Sequence, residues 1–308
     1  MAGEAKNGIL PYKGGTYYLW HYVPSLPGAA IFIVLFAIAT LAHSYRMFRF
    51  RQWFYIPFIL GCIFEAIGYV GFAMAHSKTD QLGPFIIQSI FILVAPALFA
   101  ATVYMVLGRL IVRVPSGPSC SLIRPSRLTK TFVVGDVLSF LLQSSGGGMM
   151  AKEGNQDLGE KIILVGLFVQ IIMFGLFIIV AIAFHVRYAR MLAVSGAYGS
   201  GGSRNSTTTT TNEIPWLKVL YMLYAVSLLI MVRSIFRVAE YVMGQDGYPL
   251  NNQWALFVFD SVLMFLVTAL FFFMFHPNDL AASPRDGDYD EVGTSISVNV
   301  PLRRKSPV

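Results

Sequence analysis

The stretch LKVLYMLYAVSLLIMVRSIFRVAEYVMG, residues 217–244, decides how the chain is read. It opens as a nearly unbroken apolar run from Leu217 to Ser234, then places Arg233, Arg237 and Glu240 at spacings of four and three, a single face of a helix. A helix needs about 20 apolar residues to cross the ~30 Å hydrocarbon core of a bilayer. An ionisable group inside such a run costs roughly 2.5–3.5 kcal/mol, so charges in it demand partners or a function. Everything else in the chain bears on where the membrane lies and what faces these arginines.

Composition settles the class. The 308 residues are 56% hydrophobic and 13% charged, with a mean hydropathy of +0.62. A soluble domain carries about 25% charged residues, so this is an integral membrane protein. Seven apolar windows are predicted to be spans, at 26–45, 53–75, 84–107, 129–150, 161–184, 216–239 and 254–275. Their length and Leu/Ile/Phe content exclude the alternating pattern of an outer-membrane barrel. The expected fold is therefore an all-α bundle of seven transmembrane helices. Its fourth span is the weakest, because Asp136, Gln143 and a glycine triplet interrupt it. Residues 1–25 lack an apolar core of signal-peptide type, and the first span is expected to act as the insertion signal.

Charge gives the orientation. Loops after spans one, three and five, with the C-terminal tail, carry Arg46, Arg49, Arg51, Arg109, Arg113, Arg124, Arg127, Arg187, Arg190, Arg204, Arg285, Arg303, Arg304 and Lys305. The opposite side carries Lys6, Lys13, Lys78, Lys152 and Lys161. By the positive-inside rule the N-terminus is expected outside and the C-terminus in the cytosol. The net charge of +7 then belongs to loops facing anionic lipid rather than nucleic acid. The expected organisation is an extracellular segment 1–25, a membrane domain 26–276 and a disordered tail 277–308. A disordered cytosolic linker is expected at 195–212, around SGAYGSGGSRNSTTTTT, which has too little apolar content to order itself. Cys62 falls within span two and Cys120 in a cytosolic loop, so no disulfide is expected.

The polar residues within spans are the candidate substrate-binding or coupling residues: Glu65, Gln88, Asp136, Gln143, Arg233, Arg237, Glu240 and Asp260. Counted at 1.5 Å per residue, Arg233 lies about 25 Å from the cytosolic end of span six, and Arg237 and Glu240 lie at the outer boundary. By the same counting Asp260 and Gln88 lie ~6–9 Å below the outer surface, Gln143 ~9 Å and Glu65 ~12 Å. Asp136 is the deep one, ~10 Å from the cytosolic edge. Five helices thus offer polar groups to the outer half of the membrane, and the arginines have carboxylates at similar depth. Two readings follow. The ion pairs lock helices together, or they line a polar cavity opening toward the outer leaflet, where four carboxylates against two arginines suit a cationic guest or proton exchange. Gln170, alone on span five, is expected to make an interhelical hydrogen bond. His43, His185 and His276 stand at the cytosolic ends of spans one, five and seven, a pattern that would allow zinc if they converged. Interfacial histidines are common, and no metal or other cofactor is expected.

Several stretches together resemble the fungal RTA-like family, the lipid-translocating exporters linked to aminocholesterol resistance. They are EAIGY (Glu65, Gly68, Tyr69), QSIFILVAPALFAATVY (Gln88, Pro96, Tyr104), GDVLSFLLQSSGGG (Asp136, Gln143) and RSIFRVAEYVMGQDGY (Arg233, Arg237, Glu240), followed by Asp260 and His276-Pro277. The resemblance covers roughly 25–277 and rests on the order of the motifs, span by span. It departs where an arginine is expected after the GY of span two and Phe72 and Ala73 stand. It departs again where a glutamate and a tyrosine expected ahead of Asp260 are Gln253 and Phe257.

What the resemblance implies is a seven-helix protein of the plasma membrane that exports or flips lipid-like amphiphiles and confers resistance to toxic ones. Sphingoid bases, sterol analogues and porphyrins are the substrates linked to the family. Membrane lipids or amphiphilic small molecules are thus the expected partners, and the protein is not expected to be an enzyme. No GxxxxGK[ST] loop is present for nucleotide hydrolysis. If transport is active, Glu65, Asp136 and Asp260 are the candidates for proton coupling. The alternatives are a seven-helix lipid sensor or receptor and a metal-dependent membrane lipid hydrolase. Against the receptor, GRLIVR stands after span three where an acidic-Arg-Tyr triplet would be, and span seven lacks NPxxY. A retinal protein is excluded because span seven has no lysine for a Schiff base.

Overall fold

The computed structural model describes residues 22–150, 155–199, 215–243 and 253–276, together with Ile9 and Trp20, and these are all-helical. Seven long helices follow one another: α1 (Leu26–Phe50), α2 (Ile56–Ala75), α3 (Leu82–Arg113), α4 (Pro125–Met150), α5 (Gln156–Gly199), α6 (Trp216–Val242) and α7 (Gln253–Met274). All but α4 have the length and apolar content to cross a membrane. The chain is a multi-pass membrane protein.

Local signals set the helix ends. Ser25 caps α1, its hydroxyl accepting the Gly28 N–H at 3.3 Å, and Pro27 pre-sets the first turn. Arg51, at φ 54°, closes α1 in the left-handed region with its N–H on the Met47 carbonyl. Several helices outrun the predicted apolar windows. Span three continues to Arg113 and span five begins at Gln156 and runs to Gly199. An apolar window measures the hydrocarbon core, whereas backbone hydrogen bonding continues through arginine and alanine, good helix formers, into the interface. The helix therefore takes in the first five residues of the expected 195–212 linker. Residues 200–212, the tail 277–308 and most of segment 1–25 lie outside the described residues.

Neighbouring helices run antiparallel. At one end, His43 of α1 packs on Phe58 near the start of α2, and Arg109 near the end of α3 lies 4.4 Å over the Phe54 ring. Arg46 of α1 donates to the Phe272 and Phe275 carbonyls at the end of α7, tying the first helix to the last. At the other end, His76 after α2 is bonded to the Pro24 carbonyl at 2.7 Å, and Trp20 packs edge-on against Phe72 and Phe85. Glycines allow the closest approaches. A Cβ on Gly68 of α2 would lie 2.5 Å from the Ile92 side chain of α3, so only glycine lets the two backbones meet there.

Helix α4 explains its own weak hydropathy. It lies antiparallel to α5, with Gly135 against Met173, Ser139 against Gly166 and Gly146 against the Gly159 carbonyl. Two of its polar side chains point into this contact: the Ser139 hydroxyl donates to the Gly166 carbonyl at 2.6 Å. The Gln143 amide donates to Ser139 Oγ at 2.7 Å and to Gln170 Oε1 at 3.1 Å. The outward face instead shows Val134, Val137, Leu138 and Leu141. The contact face of α4 toward α5 is thus polar and its exposed face apolar. Around the rest of the bundle, Ile31, Val34, Ile38 and Leu41 of α1 and Ile172 and Ile179 of α5 are likewise exposed. That much contiguous apolar surface would aggregate in water.

Candidate functional site

The arginines of the opening stretch are not stranded. Arg233, 2% exposed, donates from Nε to Asp260 Oδ1, and Arg237 donates from Nη2 to Asp260 Oδ2 at 2.6 Å. Arg237 Nη1 also donates to Glu240 Oε2 at 2.9 Å, three residues on along the same face. One aspartate thus holds both guanidiniums, one on each oxygen, and Glu240 supplies the second negative charge. Arg237 is 12% and Glu240 10% exposed by side chain, so the network is most open at their end.

Two irregularities in the backbone create this geometry. The first is Pro96, inside α3. Proline has no N–H, so the carbonyl four residues earlier, that of Ile92, loses its helical donor. Arg233 fills the gap: its Nη2 donates to the Ile92 carbonyl at 2.9 Å. The second is a π-helical turn, Phe257–Val262, which interrupts α7 and carries Asp260. Such turns shift the register of the residues they contain and are frequent at functional sites. Here the same turn brings Ser261 onto the hydroxyl of Tyr69 from α2. Tyr69 and Glu65 stand one helical turn apart on α2.

Glu65 is the exception within the cluster. It is 1% exposed and near enough to Asp260, Arg233 and Arg237 to feel their charges. Yet neither of its oxygens has a hydrogen-bond partner among the described residues, and among the cluster's other polar atoms the same holds for Arg237 Nε. Trp20 and Tyr22, ahead of α1, pack at this end of the bundle against Phe72. Tyr22 lies within reach of the charges of Glu240, Arg237 and Asp260, and burial, with Glu240 next, raises its phenol well above the usual value.

The structure therefore joins four of the eight candidate residues directly or through a shared partner (Arg233, Arg237, Glu240 and Asp260) and sets Glu65 beside them. Asp136 and Gln143 belong elsewhere. Asp136 accepts the Tyr104 hydroxyl at 3.0 Å, where the Phe132 and Phe177 rings also pack on Tyr104, and ties α3 to α4. Gln143 bonds Gln170, the interhelical bond expected of that residue. Gln88 of α3 is buried, and its backbone N–H lies 2.9 Å from where a Cβ on Gly71 would stand. The three histidines also stand apart. His43 meets the Thr268 carbonyl of α7, His185 the Tyr224 hydroxyl of α6, and His276 the Phe50 ring. Among the described residues no three potential metal ligands come together. The Ile92 carbonyl, the Tyr69 hydroxyl and Tyr22 are site members that composition alone does not reveal. A proline within a span is the one visible signal for the first.

Comparison with known proteins identifies the family. Residues 58–283 match the family described as RTA1 like protein. Protoporphyrin uptake protein 1 of Saccharomyces cerevisiae is 37% identical over 290 residues, covering 83% of this chain and 91% of that protein. Protein RTA1 of the same yeast is 33% identical over 286 residues, covering 84% and 85%. A probable lipid transporter of Emericella nidulans, atnI, is 29% identical over 297 residues, covering 93% and 74%. No solved structure matches the chain. With the family match over residues 58–283 and these relatives, the chain belongs to the RTA1-like family of multi-pass membrane proteins.

Proposed function

We propose that the protein moves lipid-like amphiphiles across the plasma membrane, from the cytosolic toward the outer leaflet, and so confers resistance to toxic members of that class. The observation that carries this reading is the buried Arg233–Asp260–Arg237–Glu240 network with an unpartnered carboxylate beside it, enclosed by helices whose outer faces are apolar. Charge is expensive inside a bilayer, and Glu65 makes no hydrogen bond among the described residues that would lock α2 to a neighbour. A relative named as a probable lipid transporter supports this class of cargo, and one named for protoporphyrin uptake supports movement of an amphiphile without its outward direction.

In this reading α4 is the seventh crossing, since it lies antiparallel along α5 and meets α3 at both Tyr104 and Gly108. The network then lies toward the outside, with the N-terminus extracellular, the tail cytosolic and the arginine-rich loops facing anionic lipid. Tyr22 and Trp20 cover the outer end of the bundle, over the least buried members of the network.

The test is reconstitution in liposomes carrying fluorescent lipids of different headgroups. Accelerated transfer between leaflets is expected with the wild-type protein and not with protein-free vesicles. Rates no faster than those of protein-free vesicles for every headgroup tested would remove the reading.

A further inference from the structure

The candidates for proton coupling are not equivalent once their surroundings are known. Asp260 is committed on both oxygens, one to each arginine. Asp136 accepts the Tyr104 hydroxyl, among rings, on a different pair of helices. Glu65 alone is buried with two unpartnered oxygens.

Count the charges that face one another. Arg233 and Arg237 of α6 are balanced by Asp260 of α7 and Glu240 of α6. Among the described residues, the remaining titratable groups near Glu65 are Cys62 and Tyr69 on its own helix. The charged groups of α3, Arg109 and Arg113, and of α1, Arg46 and Arg49, with His43, stand toward the other end of the bundle. Among the described residues an ionised Glu65 therefore leaves the cluster one negative charge in excess, on a residue only 1% exposed. That charge is tolerable only if a cation accompanies it.

We propose that Glu65 is an exchange site for a single positive charge, which it takes either as a proton or as the ammonium headgroup of an amphiphile. The inference rests on the amphiphile-transport reading and gives it a substrate class and a driving force. When an alkylammonium enters, the Glu65 O–H bond breaks, the proton leaves to solvent, and the carboxylate pairs with the headgroup. The amine keeps its own proton throughout. When the headgroup leaves, a proton from solvent returns to the carboxylate. One positive charge is exchanged for another, so the interior stays neutral in both states, and movement of the amphiphile in one direction is coupled to a proton in the other. Asp260 and Glu240 hold the arginines and keep them from occupying Glu65 themselves.

The experiment uses purified full-length protein in weakly buffered detergent, titrated with dodecylamine while binding and released protons are both followed. The wild type is expected to release about one proton per amine bound, and its apparent affinity should weaken about tenfold for each unit of pH below the range in which Glu65 is ionised. Glu65→Gln should abolish both effects, whereas Asp136→Asn should keep them. Binding without proton release, release that persists in Glu65→Gln, or no binding of dodecylamine by the wild type would each overturn the proposal. If Glu65→Gln does not fold, the wild-type pH dependence decides, and pH-independent binding overturns it. Fluorescent-lipid transfer in liposomes separates the two readings. Transfer without proton release leaves transport standing and removes the Glu65 exchange, while proton release without transfer does the reverse.

Discussion

Arg233 and Pro96 share a partner, and that makes their energetics testable together. Arg233→Ala removes the bond to Asp260 and the bond to the Ile92 carbonyl. Removing one member of a buried ion pair costs about 3–5 kcal/mol, because the other charge is left alone. Part of that loss belongs to Ile92, since a buried acceptor without a donor costs about 1–3 kcal/mol. Pro96→Ala restores an N–H four residues after Ile92, and the helix can then satisfy the carbonyl internally. In the wild-type background that donor is redundant. In the Arg233→Ala background it is needed. The double variant should therefore be more stable than the sum of the single changes by about 1–2 kcal/mol, with the general effect of removing a proline cancelling in the cycle. Reversible unfolding of the four proteins in mixed micelles of SDS and mild detergent measures this coupling. A coupling energy within about 0.5 kcal/mol of zero, the usual scatter for independent sites, would refute the account of Pro96 as the residue that frees the carbonyl.

Asn205-Ser206-Thr207 is a glycosylation sequon in the loop assigned to the cytosol; it should stay unmodified in yeast, and an endoglycosidase-sensitive band would reverse the topology. Asp136→Asn keeps an acceptor for the Tyr104 hydroxyl and should be near neutral in stability, whereas Asp136→Leu strands that hydroxyl and should cost about 1–3 kcal/mol by micelle unfolding. Gly68→Leu drives a side chain into Ile92 and should lower the thermal midpoint of the purified protein through overpacking of about 1–3 kcal/mol; an unchanged midpoint would mean α2 and α3 can part there without cost. Exchanging Arg237 and Glu240 (Arg237→Glu with Glu240→Arg) should restore abundance in yeast but not amphiphile resistance, since it alters the charge presented to Asp260; full resistance would reduce the network to a helix lock.

Helices and the partners of the arginines were legible in the sequence for a simple physical reason. Apolar windows report the hydrocarbon core, and Asp260 lies at a depth matching Arg233, so rise per residue alone brings the pair to one level. The same counting put Gln143 with them and Asp136 near the cytosolic edge, and for Gln143 it failed, because depth carries no information about azimuth. Which helices neighbour one another is decided by small residues such as Gly68, Gly146 and Gly166, whose effect is a distance between backbones and not a hydropathy. The π-helical turn at Asp260 was invisible as well. FVFDSV has ordinary helical residues, and it is the packing around Asp260 and Ser261 that selects the wider turn. Pro96 stood in plain view, but its meaning depends on which side chain reaches the Ile92 carbonyl it leaves open.

The ion pair between Arg233 and Asp260 joins residues only 27 positions apart, on helices consecutive in the chain. During synthesis, charged segments must leave the translocon for lipid, and Arg233, Arg237 and Asp260 entering singly would together cost roughly 7.5–10.5 kcal/mol at the per-residue insertion cost. As a hairpin, α6 and α7 can cross with these charges already matched. A nascent chain that ends before Asp260 has no such match, so α6 would have to wait at the translocon until the last helix is made. Biogenesis of the whole bundle would then be gated at its final step, when Arg46 of the first helix can also reach the carbonyls that end the seventh.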